Sequence, residues 1–385
     1  MSTPIPVWLD CDPGHDDVFA ILLAAYHPGL QLLGISTVHG NASVRKTTNN
    51  ALSVLAAIGK QDTIRVYPGA ARPLHRDPIH AVAIHGESGL DGTDLLPAPA
   101  LSALDTSVSA VDAMASALRA CEPGTAWVVA TGGMTNIAEL FAAHPDLKSH
   151  IAGLSAMGGS IGGGFTPAPL GRVGNVERIG NYTQWAEFNV VIDPEASAAL
   201  LEDPILAPKA TLIPLDLTHL VLATKEVQDL LLTGPKTTNG DVKPGAPNGS
   251  IKAKTTLRQM LVELLMFFAE TYRDAFGIVD GPPLHDPLAV AAVLAGTALE
   301  IPFYDYDPAG PKGSTATERY EVRIITEGSF EDATNNGAQT GRTLARLLPP
   351  GEKGVRIPRD VDVKLFWKVI EECCQRADEA NASRA

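Results

Sequence analysis

Short apolar runs rich in β-branched residues alternate with longer runs of helical spacing along most of the chain. Residues 6–9 read as a strand leading to a helix near 18–26, and residues 32–38 as a strand leading to a helix near 43–58. A run at 64–67 follows, 126–130 precedes a helix starting near Asn136, and 151–157 comes next. Residues 212–217 precede a helix near 225–232. The spacing then predicts a long helix near 255–276, another near 286–294, a strand at 320–325 and a last helix near 363–374. Strands alternating with helices predict an α/β domain: a mostly parallel (mixed) open sheet, Rossmann-like, with helices on both faces. Ligands of such sheets bind outside the carboxyl ends of the strands, which is where an active site is expected.

Two stretches interrupt the alternation. Residues 158–184 are rich in Gly and Pro, and residues 233–250 are polar. Neither resembles a linker between two cores and no internal repeat is present, so residues 1–385 are read as one domain with two loop insertions. Residues 376–385 are expected to be a disordered tail.

Charge narrows the partners. Lys plus Arg number 30 and Asp plus Glu 44, a balance of −14. With no basic cluster, nucleic acid and anionic membrane surfaces are excluded as partners. No apolar stretch reaches the roughly 20 residues that span a bilayer. The opening residues lack the features of a signal peptide. Cys11, Cys121, Cys373 and Cys374 form no Cys-x-x-Cys pair, which points to a reducing, cytoplasmic setting.

Candidate chemistry concentrates after the first strand. "DCDPGHDD" places Asp10, Asp12, Asp16 and Asp17 within eight positions. Helix capping accounts for one or two acids at a helix start, not four. Crowded carboxylates repel unless a cation neutralises them, and all-oxygen donors suit a hard divalent ion, Ca²⁺ or Mg²⁺. An EF-hand does not fit: counted from Asp10, His15 stands where the loop needs glycine and Ile21 where it needs an acid. A phosphatase of the haloacid-dehalogenase type, with an Asp nucleophile and Mg²⁺, matches Asp10-Cys11-Asp12. It leaves Gly14 and the paired acids unexplained.

The octapeptide resembles the signature of the nucleoside hydrolases, the inosine/uridine-preferring group in particular. The resemblance continues in order: "VHGN" at 38–41, "IHGESGLDG" at 84–92, "TGGMTNIAE" at 131–139, "MGG" at 157–159, "AEFNVVIDPEA" at 186–196, "PLDLT" at 214–218 and "HDPLAV" at 285–290. It implies a Ca²⁺-dependent hydrolase that cleaves the N-glycosidic bond of ribonucleosides to ribose and free base. The implied metal ligands are Asp12, Asp17, Asp286 and the backbone carbonyl of Thr131, with Asp12 also the general base on a metal-bound water. The ribose is implied to be held by Asp16, Asn41, Asn181, Glu187 and Asn189, and Asp286 also borders the substrate. Asp10 and Asp216 are read as supports.

On the base side, His85 and His285 follow the pattern of relatives that accept uridine and inosine, with His285 placed to protonate the departing base. Tyr272 and Phe276 lie four apart on one predicted helix and would form an aromatic wall; core packing explains them as readily. The partner is thus a small-molecule ribonucleoside, and the resemblance implies a homo-oligomer, dimer or tetramer. A non-catalytic nucleoside-binding protein on the same scaffold is the other reading, disfavoured by the intact Asp12, Asp17 and Asp286 set.

Overall fold

The computed structural model describes residues 3–173, 175–235, 252–306 and 317–384. Its centre is a six-stranded parallel sheet built from β1 (Ile5–Cys11), β2 (Leu30–Thr37), β3 (Val66–Pro68), β4 (Trp127–Ala130), β5 (Gly153–Met157) and β6 (Ala210–Ile213). The strand order is β3-β2-β1-β4-β5-β6, so the chain reverses direction across the sheet between β1 and β4. That reversal opens a crevice at the carboxyl ends of the two central strands.

Burial on both faces explains why these strands read as unbroken apolar runs. Val7, Leu9 and Cys11 of β1 join one core cluster, while Trp8 joins the cluster on the opposite face. On the first face pack α1 (Asp17–Tyr26), α2 (Val44–Ala57) and, later in the chain, α4 (Thr256–Phe267), α5 (Ala269–Phe276), α6 (Pro287–Ala291) and α7 (Val363–Ala382). Helix α3 (Thr135–Ala143) lies on the second.

Several boundaries differ from the sequence reading, each for a physical reason. The strand expected at 212–217 ends at Ile213, because Pro214 interrupts it and Leu215–Thr218 turns into one helical turn. The long helix expected at 255–276 breaks at Phe268, which separates α4 from α5. A helix at Ala110–Arg119 was not anticipated, although Ser109 caps it by accepting the Asp112 amide hydrogen. The strand at Tyr320–Ile324 pairs antiparallel with Thr343–Leu347 outside the main sheet.

The expected disordered tail is corrected: α7 continues to Ala382. Ala377 is buried, Asp378 pairs with Arg258, and Asn381 donates to the Ala57 carbonyl, so tertiary contacts hold the last turns. Within 158–184 the chain makes a short antiparallel pair, Arg172–Val173 with Val176–Glu177, after three consecutive glycines with positive φ. Of the 233–250 insertion, residues 236–250 lie outside the described residues. Among the described residues no helix is long and apolar enough to cross a membrane.

Candidate active site

The polar residues that close successive strands meet in one cavity. Its lining includes Asp16, Asn41, His85, Thr131, Asn181, Glu187, Asn189, Tyr272, His285 and Asp286. Asp12, Asp17 and Phe276 are not among the lining residues; the two acids are fully buried.

The floor is acidic. Carboxylate oxygens of Asp16, Asp17 and Asp286 lie within 4.8 Å of one another. Asp17 is held from two sides, its Oδ2 accepting the Gly14 amide hydrogen at 2.9 Å and its Oδ1 the Thr131 hydroxyl at 2.7 Å. Asp12 falls outside this group of three. Its Oδ2 accepts the Asn41 amide hydrogen at 2.7 Å, and its Oδ1 is buried without a hydrogen-bond partner.

Two glycines make room for it. A Cβ at Gly40 would stand 1.9 Å from Asp12 Oδ2, and one at Gly132 would stand 2.5 Å from Oδ1. The motifs "VHGN" and "TGG" therefore carry glycine because a carboxylate occupies the space a side chain would need.

Burial raises the pKa of every carboxylate on this floor. Asp17 is pushed up to about 8 by burial and then by Asp16. Asp12 rises well above its ordinary range through burial and Asp17, and Asp286 through burial, Asp16 and Asp17. Among the described residues no Lys or Arg lines the cavity to offset them. A cluster of buried acids with a partnerless oxygen has the donor chemistry of a site for a hard divalent cation. Asp16, Asp17 and Asp286 are gathered closely enough to hold one, next to Thr131, whose hydroxyl donates to Asp17 and whose backbone carbonyl is a further oxygen donor. That carbonyl already accepts from Asn189 Nδ2 at 2.9 Å and keeps a second lone pair.

One wall is a set of amide and carboxyl groups fixed by backbone. Glu187 accepts the amide hydrogens of Asn189 at 2.8 Å, Gly159 at 2.9 Å and Val190 at 3.1 Å, which hold it against the burial that pushes it to about 7. Asn181 Oδ1 accepts the Phe188 amide hydrogen at 2.9 Å. The adjoining wall is aromatic and imidazole. Tyr272 lies 5.4 Å from His285 and 5.0 Å from Phe276, ring centre to ring centre. Phe276 thus backs Tyr272 rather than bordering the cavity. His285 Nδ1 stands 2.7 Å from the Thr218 hydroxyl, and its Nε2 is buried without a partner. Burial, then His219 and His85, keep His285 neutral, well below the ordinary imidazole range.

The two expected supports stand behind the cavity. Asp10 Oδ1 accepts from Ser36 and from Asn136 Nδ2. Asp216 accepts the amide hydrogens of Ile161 and Gly162, anchoring the start of the 158–184 loop. Sequence reading missed His15, Met157, Phe268 and His219. His219 packs edge-on to Tyr272, Phe276 and His285, and its place in "LDLTH" was the available signal. Phe268 lines the cavity because the helix breaks there, which periodicity does not reveal.

Comparison with known proteins gives this arrangement a context. Residues 7–368 match the family described as inosine-uridine preferring nucleoside hydrolase. The chain is similar to a uridine nucleosidase from Saccharomyces cerevisiae, at 38% identity over 97% of both chains. It is also similar to a pyrimidine-specific ribonucleoside hydrolase, RihA, from Escherichia coli, at 39% identity over 85% of this chain and 86% of that one. In three dimensions it resembles a purine-preferring ribonucleoside hydrolase from Gardnerella vaginalis, with a TM-score of 0.71, 23% identity, and 97% and 99% of the two chains covered.

Proposed function

From the premise that the chain belongs to the inosine-uridine preferring nucleoside hydrolase family and is a nucleoside hydrolase acting on small ribonucleosides, we propose a divalent-cation-dependent hydrolase that accepts uridine and inosine. The observation that carries this reading is the buried acidic floor facing a wall of fixed amide and carboxyl groups. Ca²⁺ is the ion proposed, since the donors are all oxygen and their number leaves room for ribose hydroxyls. When bound, the cation supplies positive charge that neutralises the floor and acidifies water beside it.

The protein residues do the rest. Asp12, with an oxygen that no protein group occupies, takes a proton from the attacking water. The water oxygen bonds to C1′ of the ribose as the bond from C1′ to the base nitrogen breaks. Positive charge gathers on the ribose in the transition state, where Asp16 and Glu187 stabilise it more than they stabilise the substrate. Asn41, Asn181 and Asn189 orient the hydroxyls. Thr218 Oγ makes only a 3.5 Å contact to the Leu215 carbonyl, so its hydrogen is available to His285 Nδ1. Nε2 then carries the imidazole hydrogen and donates a hydrogen bond to the base, which leaves as an anion with the bonding electron pair.

The two similar proteins named for uridine and pyrimidine substrates support uridine as a good substrate, with no strict purine preference. Family resemblance supports a homo-oligomer of two or four chains. The test is release of reducing sugar from uridine and inosine, before and after treatment with a strong calcium chelator. Loss of turnover on chelation and recovery with Ca²⁺ are expected. Full activity after verified metal removal overturns the metal assignment, and absence of cleavage of both nucleosides overturns the substrate assignment.

A further inference from the structure

His85 reaches the cavity at the end of a hydrogen-bonded chain that the steps above do not use. His15 Nε2 lies 2.6 Å from the Asp91 carbonyl oxygen. A carbonyl only accepts, so the imidazole hydrogen of His15 sits on Nε2. His15 is fully buried, and a neutral imidazole has one hydrogen, already placed on Nε2, so Nδ1 is bare. Nδ1 of His15 is 2.9 Å from Nδ1 of His85. The ring planes differ by 25° and the centres are 5.1 Å apart, the geometry of an N–H···N bond lying close to both ring planes. His85 must therefore donate from Nδ1. Burial, then His15, hold His85 neutral, so its Nε2 carries no hydrogen. That nitrogen has no hydrogen-bond partner among the described residues. Its ring lines the cavity with Ala81, Ile84, Phe268, Tyr272 and His285, the apolar and imidazole side where a base fits.

Taking the nucleoside hydrolase reading as its ground, we propose that His15 is a positioning residue that locks His85 as a hydrogen-bond acceptor toward the nucleobase. The site then favours bases that present a ring N–H at that point, as uracil and hypoxanthine do. A bare ring nitrogen, as in cytosine or adenine, meets it lone pair to lone pair. A bare Nε2 also cannot protonate the departing base, which separates the duties of the two cavity histidines: His85 selects and His285 donates.

Substrate pairs test this. In the wild-type enzyme 3-methyluridine, which lacks the ring N–H, should lose at least ~10-fold in kcat/KM relative to uridine, the size of one hydrogen bond. His15→Phe keeps a ring beside Phe267, 4.8 Å away, but cannot accept from His85. The uridine to 3-methyluridine ratio should fall toward one, and uridine should lose more than p-nitrophenyl riboside. His15→Gln, whose amide can accept from His85 and donate to Asp91, should restore most of the ratio. A merely structural role for His15 would depress all substrates together, and that result overturns the proposal. Should His15→Phe fold poorly, imidazole ¹⁵N spectra of the wild-type protein read the tautomer directly. A hydrogen on Nε2 of His85 overturns the proposal, and one on Nδ1 alone supports it. Equal cleavage of uridine and 3-methyluridine sinks this inference while leaving the hydrolase standing. Cleavage of neither, with the expected tautomer, sinks the hydrolase reading instead.

Discussion

Asp12→Asn separates proton transfer from binding at a single atom. In the structure Oδ2 of Asp12 accepts the Asn41 amide hydrogen at 2.7 Å, while Oδ1 faces Gly132 with no partner. An asparagine must direct its oxygen at the Asn41 N–H, which puts the NH₂ where Oδ1 was. The turn and its hydrogen bond survive, and the side chain loses its capacity to accept a proton from water. General-base catalysis contributes about 10²–10⁴-fold, which is about 3–5 kcal/mol of barrier. We therefore expect kcat for uridine to fall by at least ~10²-fold. Asn41, Glu187 and Asn189, the groups proposed to hold the ribose, keep their own backbone contacts, so the inhibition constant for free ribose should change by less than about threefold, under 1 kcal/mol. Steady-state kinetics and ribose competition, each at saturating Ca²⁺, measure the two. A parallel loss in kcat and ribose affinity would refute the base assignment and make Asp12 a binding group. Loss of less than tenfold in kcat would place the base elsewhere.

Three further outcomes follow from the packing. Gly132→Ala places a Cβ 2.5 Å from Asp12 Oδ1, so kcat/KM should drop by about 10²-fold through displacement of that carboxylate while circular dichroism stays native. Arg258 is fully buried and pairs with Glu371 at 2.9 Å and Asp378 at 2.6 Å. Arg258→Met should cost about 3–5 kcal/mol by stranding two acids. For 385 residues at about 2.1 cal/mol/K each, that lowers Tm by roughly 4–6 °C in calorimetry, and an unchanged Tm would contradict the buried pairing. Finally, Cys11, Cys373 and Cys374 are buried, and burial pushes the Cys373 thiol up to about 12. Only Cys121 should react with iodoacetamide in the native protein, against four thiols in denaturant; two or more native reactive thiols would contradict the core packing.

Much of this was legible because parallel sheets translate directly into sequence. Strands buried on both faces leave unbroken apolar runs, and the acids, amides and glycines that follow them stand at the cavity because the strands are parallel. Asp16, Asn41 and Thr131 come together for that reason, and Asp286 joins them from the start of α6. The gathering of Asp16 with Asp17 and Asp286, and the setting of Asp12 apart between Gly40 and Gly132, depend on side-chain directions within one turn, which no period encodes. Phe268 looked like one more residue of a long amphipathic helix until the break turned it into the cavity. The His15–His85 contact joins residues 70 apart, and neither local pattern announces the other. The tail misled because its composition is polar and alanine-rich, whereas its order comes from Arg258 and Ala57 elsewhere in the chain.

The break at Phe268 has a bearing on how such an enzyme diversifies. The acidic floor rests on strand ends at the middle of the sheet, where any shift is transmitted to both cores. The wall proposed to meet the base is carried in part by α5, tied to α4 through one non-helical residue and flanked by the glycine-rich 158–184 loop. Changes in pitch or side chain along α5 can reshape what the wall admits while the floor stays where the sheet holds it. Drift in substrate preference is thereby uncoupled from loss of turnover, and libraries confined to 268–276 and 162–171 should yield altered specificity at far higher frequency than libraries spread over the strand ends.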